Sequence, residues 1–410
     1  MSAGAPLGPS PDEVTLDAIR RAADALRGVI EYTPLTRSQT LSDITGVDVH
    51  LKFENLQYTG SFKGRGARNR LLAVAPGRGV IAMSAGNHAQ GVAHHGALLG
   101  LPTTIVMPEN TPFVKVARTR DLGAEVVLAG ADVMAAAVRA RELAEERDLE
   151  FIHPFDDPVV IAGQGTVGLE MLEQEPDLDM IVAAVGGGGL SAGIAVATTG
   201  HGRPVEVIGV QTERFPSMAD RLAGRASTAR SGSTVADGIA VSEPGRITSA
   251  ILEAHAVDVL VVPEAAIEQA IAMLLEIEKT VVEGAGAAGL AALMTYPERF
   301  AGKKVGLVLC GGNIDPRTLS VVALRGLAVQ GRLNRIRVEL DDTPGRLALV
   351  SQVIAREAAN VVEVDHDGLG SSGARSTILE LRIDTLDAAH ADRVLEAIRA
   401  EGLNADLVDW

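Results

Sequence analysis

One cysteine, Cys310, is the only thiol in the 410-residue sequence. A single thiol closes no internal disulfide, and its rarity points to a reducing cytoplasm. Basic charge is also in short supply. Lys and Arg total 37 against 53 Asp and Glu, a formal net charge of −16, which argues against nucleic acid or an anionic membrane as a partner. The opening "MSAGAPLGPSPDEV" has neither a basic start nor an apolar run, so no secretory signal is expected. "MIVAAVGGGGLSAGIAVATTG", Met180 to Gly200, is uncharged and long enough to span a bilayer. Four glycines in its middle argue against a spanning helix. A buried strand, a glycine loop and a buried helix suit it better, and a soluble protein is expected.

Aromatics are scarce at 3%, whereas glycine is frequent at 44. Val/Ile/Ala-rich runs end in glycine and lead into Ala/Leu/Glu/Arg stretches, an alternation that predicts an α/β chain with buried parallel strands. Residues 1–13 read as loose, and "TLDAIRRAADALRGVI" as a helix behind a Thr cap. "DVHLKFENL", "GVIAM", "PTTIVMPEN" and "EFIHPFDD" read as strands. The texture changes at "RGLAVQGRLNR", Arg325 to Arg335, read as a linker or an outgoing strand. Beyond it the order is strand, helix, strand, strand, helix and a short last strand, a ferredoxin-like βαββαβ module. The expected division is a unit over residues 1–325 with a smaller subdomain at about 53–152, a linker at 326–333, and a second unit at 334–410.

Four segments carry candidate chemistry. In "GSFKGRGA", small residues surround Lys63 and Phe62 could wall one side. A lysine can form a Schiff base only while its amine is neutral, which requires desolvation or an electropositive site; the plain alternative is a surface lysine at a helix start. In "SAGNHAQG", the strand-to-helix turn Ser84, Ala85, Gly86, Asn87 and His88 aims backbone N–H groups at one point, as a carboxylate requires. A routine turn explains it equally well. "AVGGGGLSAG" exposes a nest of N–H donors suited to a small phosphate monoester, at Gly186, Gly187, Gly188, Gly189 and Leu190. It matches neither the Walker nor the dinucleotide spacing. In "LVLCGGNID", Cys310 could meet a ring nitrogen as a weak neutral partner, or be a small buried hydrophobe.

In this order, the four segments resemble the fold-type II pyridoxal 5'-phosphate enzymes of the threonine ammonia-lyase (threonine dehydratase) and serine racemase branch. "LDDTPGRLALVSQVIAREAANVVEVDH" is similar to an ACT domain, an amino-acid-sensing module. The resemblance implies two open twisted α/β subdomains, like the tryptophan synthase β chain, followed by one ACT domain. It implies that Lys63 holds the cofactor and takes the substrate α-proton, and that Phe62 packs on the cofactor ring. Asn87 would pair with the ring 3-oxygen, residues 186–190 would cradle the phosphate, and Cys310 would face the pyridine nitrogen. The Ser84–His88 turn would bind the substrate carboxylate. Glu283 would support the cofactor, although a helix-start carboxylate explains it nearly as well.

Gln211 stands where metal-binding relatives carry glutamate, so no metal is expected. Ala85 replaces a serine of racemising relatives, which favours elimination. Pro344, Gly345, Leu347 and Asn360 mark the implied effector site for isoleucine or valine. The implied activity is elimination of L-threonine to 2-oxobutanoate and ammonia, with L-serine as a second substrate, in isoleucine biosynthesis or threonine catabolism. A homodimer or homotetramer is implied. The alternatives are a serine racemase, a serine or hydroxyaspartate ammonia-lyase, or a non-catalytic amino-acid sensor.

Overall fold

The computed structural model describes residues 9–229, 232–367 and 375–409. The chain divides into two units, Met1–Asp315 and Pro316–Trp410.

The first unit holds two sheets. The larger has six strands in the order Leu35–Arg37, Asp48–Lys52, Lys304–Val308, Met180–Ala184, Glu206–Thr212 and Asp258–Val262. All neighbours are parallel except the first pair. The smaller sheet runs Glu125–Leu128, Thr103–Met107, Val80–Met83 and Glu150–Phe151, wholly parallel. Every residue of Met180–Ala184 and of Thr103–Met107 is buried. Strands covered on both faces read as continuous apolar runs, and these do. The stretch Met180 to Gly200 is strand, glycine turn and helix Gly189–Thr198. No helix among the described residues is long and apolar enough to cross a membrane.

Local chemistry sets the helix starts. Thr15 accepts the Ala18 N–H at 3.1 Å and opens helix Leu16–Leu26, whose buried face is Ile19, Ala22 and Leu26. Asp157 caps helix Pro158–Gln174 through the N–H groups of Val159 and Val160. That helix meets its neighbours at glycines. A Cβ on Gly163 would lie 2.7 Å from Gly66 Cα, and one on Gly165 would lie 2.8 Å from the Gly193 carbonyl. On helix Asn87–Leu98, a Cβ on Gly91 would lie 3.2 Å from the Lys63 backbone carbon. Four helices are thereby joined backbone to backbone in one seam.

Several stretches depart from the expected reading, among them Glu54–Leu56, a 3-10 helix where "DVHLKFENL" read as strand. Of the loose segment at residues 1–13, the first eight lie outside the described residues, and Pro11–Glu13 form a 3-10 helix held by a Ser10–Glu13 capping box. The strand expected at "EFIHPFDD" stops at Phe151. Pro154 has no N–H to give a ladder, and His153 Nδ1 accepts the Asp156 N–H at 2.8 Å, which turns the chain. "RGLAVQGRLNR" carries the end of helix Pro316–Val329 and the start of strand Leu333–Asp341.

In the second unit, Leu333–Asp341, Arg346–Arg356, Asn360–Asp367, Ser376–Asp384, Ala388–Ala400 and Asn404–Leu407 follow one another as βαββαβ. The four strands are antiparallel in the order Asn360–Asp367, Ser376–Asp384, Leu333–Asp341, Asn404–Leu407. Ile336, Val338, Leu340, Leu379, Leu381 and Ile383 alternate along their strands and pack on Val350, Val353, Val394 and Ile398 of the helices. Period two on the strands and helical spacing on the covering face build this core. Gly368 and Leu369, at the end of the expected "ANVVEVDHDGL" strand, lie outside the described residues.

Candidate active site

Two of the sequence motifs pair directly. The Phe62 N–H donates to the Cys310 carbonyl at 3.1 Å, Ser61 bridges Gly311, and the Gly312 N–H donates to the Gly60 carbonyl at 2.9 Å. Lys63 opens helix Lys63–Leu71 immediately after this pairing. Its half-buried amine donates to the Pro154 carbonyl at 2.9 Å and lies 5.2 Å from the Phe62 ring centroid. Burial pulls the lysine down to about 8, against the opposing influence of Cys310 and Glu283. Near neutral pH this amine sheds its proton far more readily than a solvated one.

The glycine motif adjoins the same loop. Phe155, next to Pro154, lies where side chains on Gly187 and Gly189 would stand: a Cβ on Gly187 would be 2.3 Å from the ring, and one on Gly189 3.1 Å from the carbonyl. Gly188 holds φ +95°, so glycine is required there on conformational grounds as well. Thr248 Oγ1 donates to the Gly187 carbonyl at 2.6 Å. Asp156 accepts the N–H groups of Arg246, Ile247 and Thr248, which fixes the start of the helix that bears Thr248. No acceptor among the described residues takes the N–H groups of Gly186 to Leu190, and helix Gly189–Thr198 has no side-chain cap. Ser191 Oγ, fully buried one residue on, also lacks a partner among the described residues. Free donors at an uncapped helix start, in a bend that side chains would fill, fit a phosphate.

The "SAGNH" turn faces the paired segments. Ser84 Oγ accepts the Gly86 N–H at 3.1 Å, and helix Asn87–Leu98 starts without a side-chain cap. Asn87 donates to Glu283 Oε1 and accepts from Asn313 Nδ2, each at 2.7 Å. His88 Nε2 donates to the Ile152 carbonyl at 3.0 Å, and burial with the nearby Lys63 charge pulls it down to about 3. It is therefore neutral at physiological pH. Ala85 presents only a methyl group.

Glu283 and Cys310 complete the cluster. A Cβ on Gly311 would be 2.4 Å from Glu283 Oε1, so the acid lies directly against the cysteine segment. Burial, helped by Asp237, pushes Glu283 up to about 7, although Asn87 and the Asn313 N–H oppose it. Burial and the Glu283 charge push the Cys310 thiol far above its ordinary value, so it stays protonated. Lys63, Phe62, the Ser84–His88 turn, the glycine bend, Glu283 and Cys310 thus converge. Pro344, Gly345, Leu347 and Asn360 belong to the second unit, where Gly345, at φ +93°, precedes helix Arg346–Arg356. Sequence reading missed Asn313, Phe155, Asp156 and Thr248. Only Asn313 carried a signal, since it lies within "LCGGNID".

A family model described as pyridoxal-phosphate dependent enzyme matches residues 26–311. An L-threonine ammonia-lyase of Thermotoga maritima is 42% identical over 400 residues, 96% of this chain and 100% of that protein. One of Geobacter sulfurreducens is 44% identical over 397 residues, 95% of this chain and 98% of its own length. Among solved structures, the processed form of threonine deaminase isoform 2 from Solanum lycopersicum is similar at a TM-score of 0.71 and 35% identity, covering 78% of this chain and 89% of that one. The matched span contains the lysine, the glycine bend and the cysteine strand that the fold draws together, and the chain belongs to the pyridoxal-phosphate dependent enzyme family.

Proposed function

We propose that this chain is an L-threonine ammonia-lyase that converts L-threonine to 2-oxobutanoate and ammonia and L-serine to pyruvate and ammonia. The observation that carries the reading is the half-buried, easily neutralised amine of Lys63, placed at Pro154 beside the Phe155 side of the glycine bend.

Pyridoxal phosphate, when bound, supplies an aldehyde for covalent attachment and a conjugated ring that accepts the electron pair left on the substrate Cα. Lys63 would be the group that holds it and, as a free neutral amine, the base placed to receive the substrate α-proton. Residues 186–190 would hold the phosphate through backbone N–H groups, and Phe62 would border the ring. The protonated Cys310 would offer the ring nitrogen a neutral partner, which suits loss of the β-hydroxyl better than a lasting charge on carbon. The Ser84–His88 turn would offer the substrate carboxylate the N–H groups of Ala85, Asn87 and His88, which have no acceptor among the described residues. Loss of water across Cα–Cβ, then hydrolysis of the released enamine, balances threonine against 2-oxobutanoate and ammonia. Ala85 brings no hydroxyl for a second proton transfer to Cα, and this supports elimination over racemisation.

The C-terminal unit, with its ferredoxin-like strand order, supports an ACT module that binds a small amino acid such as isoleucine or valine at the Pro344–Leu347 turn and Asn360. We place the catalytic unit at 1–325 with its smaller subdomain at about 53–152, the linker at 326–333 and the regulatory unit at 334–410, in a cytoplasmic homodimer or homotetramer.

Purified protein supplied with pyridoxal phosphate and assayed with L-threonine, L-serine and D-serine tests the activity. The expected result is 2-oxobutanoate from threonine and pyruvate from L-serine. Failure to form either after cofactor addition overturns the reading.

A further inference from the structure

Asn313 connects the paired segments to the turn that carries Asn87. Its side-chain NH2 donates to the Thr59 carbonyl at 2.8 Å and to Asn87 Oδ1 at 2.7 Å. A backbone carbonyl can only accept, so Thr59 fixes which end of the Asn313 amide is the donor. That donor in turn fixes Asn87, whose oxygen must face Asn313 and whose NH2 must face away. One of the two Asn87 hydrogens goes to Glu283 Oε1, and the other has no acceptor among the described residues. The Asn313 backbone N–H also favours the charged form of Glu283, the acceptor of the Asn87 amide. Space for this exists because residue 60 is glycine: a Cβ there would lie 2.6 Å from Asn313 Oδ1, and φ is +70°.

We infer that Asn313 is a positioning residue that sets the orientation of the Asn87 amide, so that an N–H rather than an oxygen faces the anionic 3-oxygen of the cofactor. The inference rests on the proposed reading of Asn87 as the partner of that oxygen. The two ends of a primary amide have nearly the same shape, and packing alone does not choose between them. Reversed, Asn87 would turn its oxygen toward Glu283 and toward the ring oxygen, replacing two attractions with two repulsions. Asn313 acts through Asn87 and Glu283, without contact to the reacting carbon.

The test is a double-mutant cycle on the full-length protein with Asn313→Ala, Asn87→Ala and both together. The readouts are the dissociation constant for pyridoxal phosphate, measured by titrating stripped protein, and the visible absorption band of the bound cofactor. Asn313→Ala is expected to weaken cofactor binding roughly 5- to 30-fold, the loss of one oriented hydrogen bond. In the Asn87→Ala background the same change is expected to do nothing further. Equal losses in both backgrounds overturn the inference, because Asn313 would then be acting through general packing. An unaffected dissociation constant and band in Asn313→Ala, with both altered in Asn87→Ala, also overturns it. No change in Asn87→Ala itself refutes the assignment of Asn87 and removes the ground beneath the inference. If Asn313→Ala does not fold, Asn313→Asp, which keeps the shape and removes the donor, takes its place in the cycle with the same expected outcomes.

Discussion

Arg65 grips Glu54 through two parallel hydrogen bonds, Nε to Oε2 at 2.8 Å and Nη2 to Oε1 at 2.7 Å, and neither side chain is more than 1% exposed. The same guanidinium reaches Glu170 Oε1 at 2.6 Å, and Lys52 reaches Glu170 Oε2 at 2.6 Å. Lys63 lies two residues from Arg65, so this buried quartet anchors the helix that presents the amine. Arg65→Met leaves Glu54 with an uncompensated buried charge, and a loss of about 3–5 kcal/mol is expected. Denaturant unfolding of the stripped protein measures it. A change below about 1 kcal/mol would mean that water or Lys52 takes over the role.

Burial disfavours the charged form of Lys63 and pulls it down to about 8. Only the neutral amine attacks an aldehyde. The rate at which stripped protein takes up pyridoxal phosphate is therefore expected to rise with pH and level off above about 8. A rate still climbing toward the ordinary lysine value of 10.5 would show a solvated amine. Lys63→Ala is expected to form no product and no visible cofactor band.

Cys310→Ser should keep most of the activity, because thiol and hydroxyl are both neutral at working pH. Steady-state rates with L-threonine check this. Complete loss would mean that sulfur supplies more than a neutral neighbour to the ring.

Gly187→Val places a side chain where the Phe155 ring already stands. The expected effect is loss of cofactor affinity, read by equilibrium dialysis, with the fold retained by circular dichroism. Unchanged affinity would remove the phosphate from the glycine bend.

Leu347 is 42% exposed in the first turn of its helix. Leu347→Asp should abolish any response of the threonine saturation curve to isoleucine or valine while leaving kcat unchanged. A response equal to that of the parent protein would move the effector site away from the Pro344–Leu347 turn.

The sequence made the four motifs and the βαββαβ order legible because each rests on local rules: glycine at tight turns, period two on strands, helical spacing after caps. Lys63 and Cys310 were readable one at a time. Their juxtaposition was not, because the pairing of Phe62 with Cys310 spans the whole catalytic unit. Arg65 stood in a quoted motif, but its partners Glu54 and Glu170 lie 11 and 105 residues away, and charged residues ordinarily belong to solvent. The "HPFDD" loop was misread because Phe151 and Ile152 do continue a strand-like pattern; only the His153 side chain and Pro154 reveal the turn. Asn313 stood unremarked inside a quoted motif, and the directional role of its amide appears only beside Thr59 and Asn87.

The helix seam at Gly91, Gly66, Gly163, Gly165 and Gly193 also constrains how such a protein can diversify. A Cβ added at Gly91 would press on the Lys63 backbone, and one at Gly165 on the helix that follows the glycine bend. Changes in substrate preference are then easier to introduce on rim side chains than at these backbone junctions. A mutagenesis library aimed at new substrates would waste its members on those junctions.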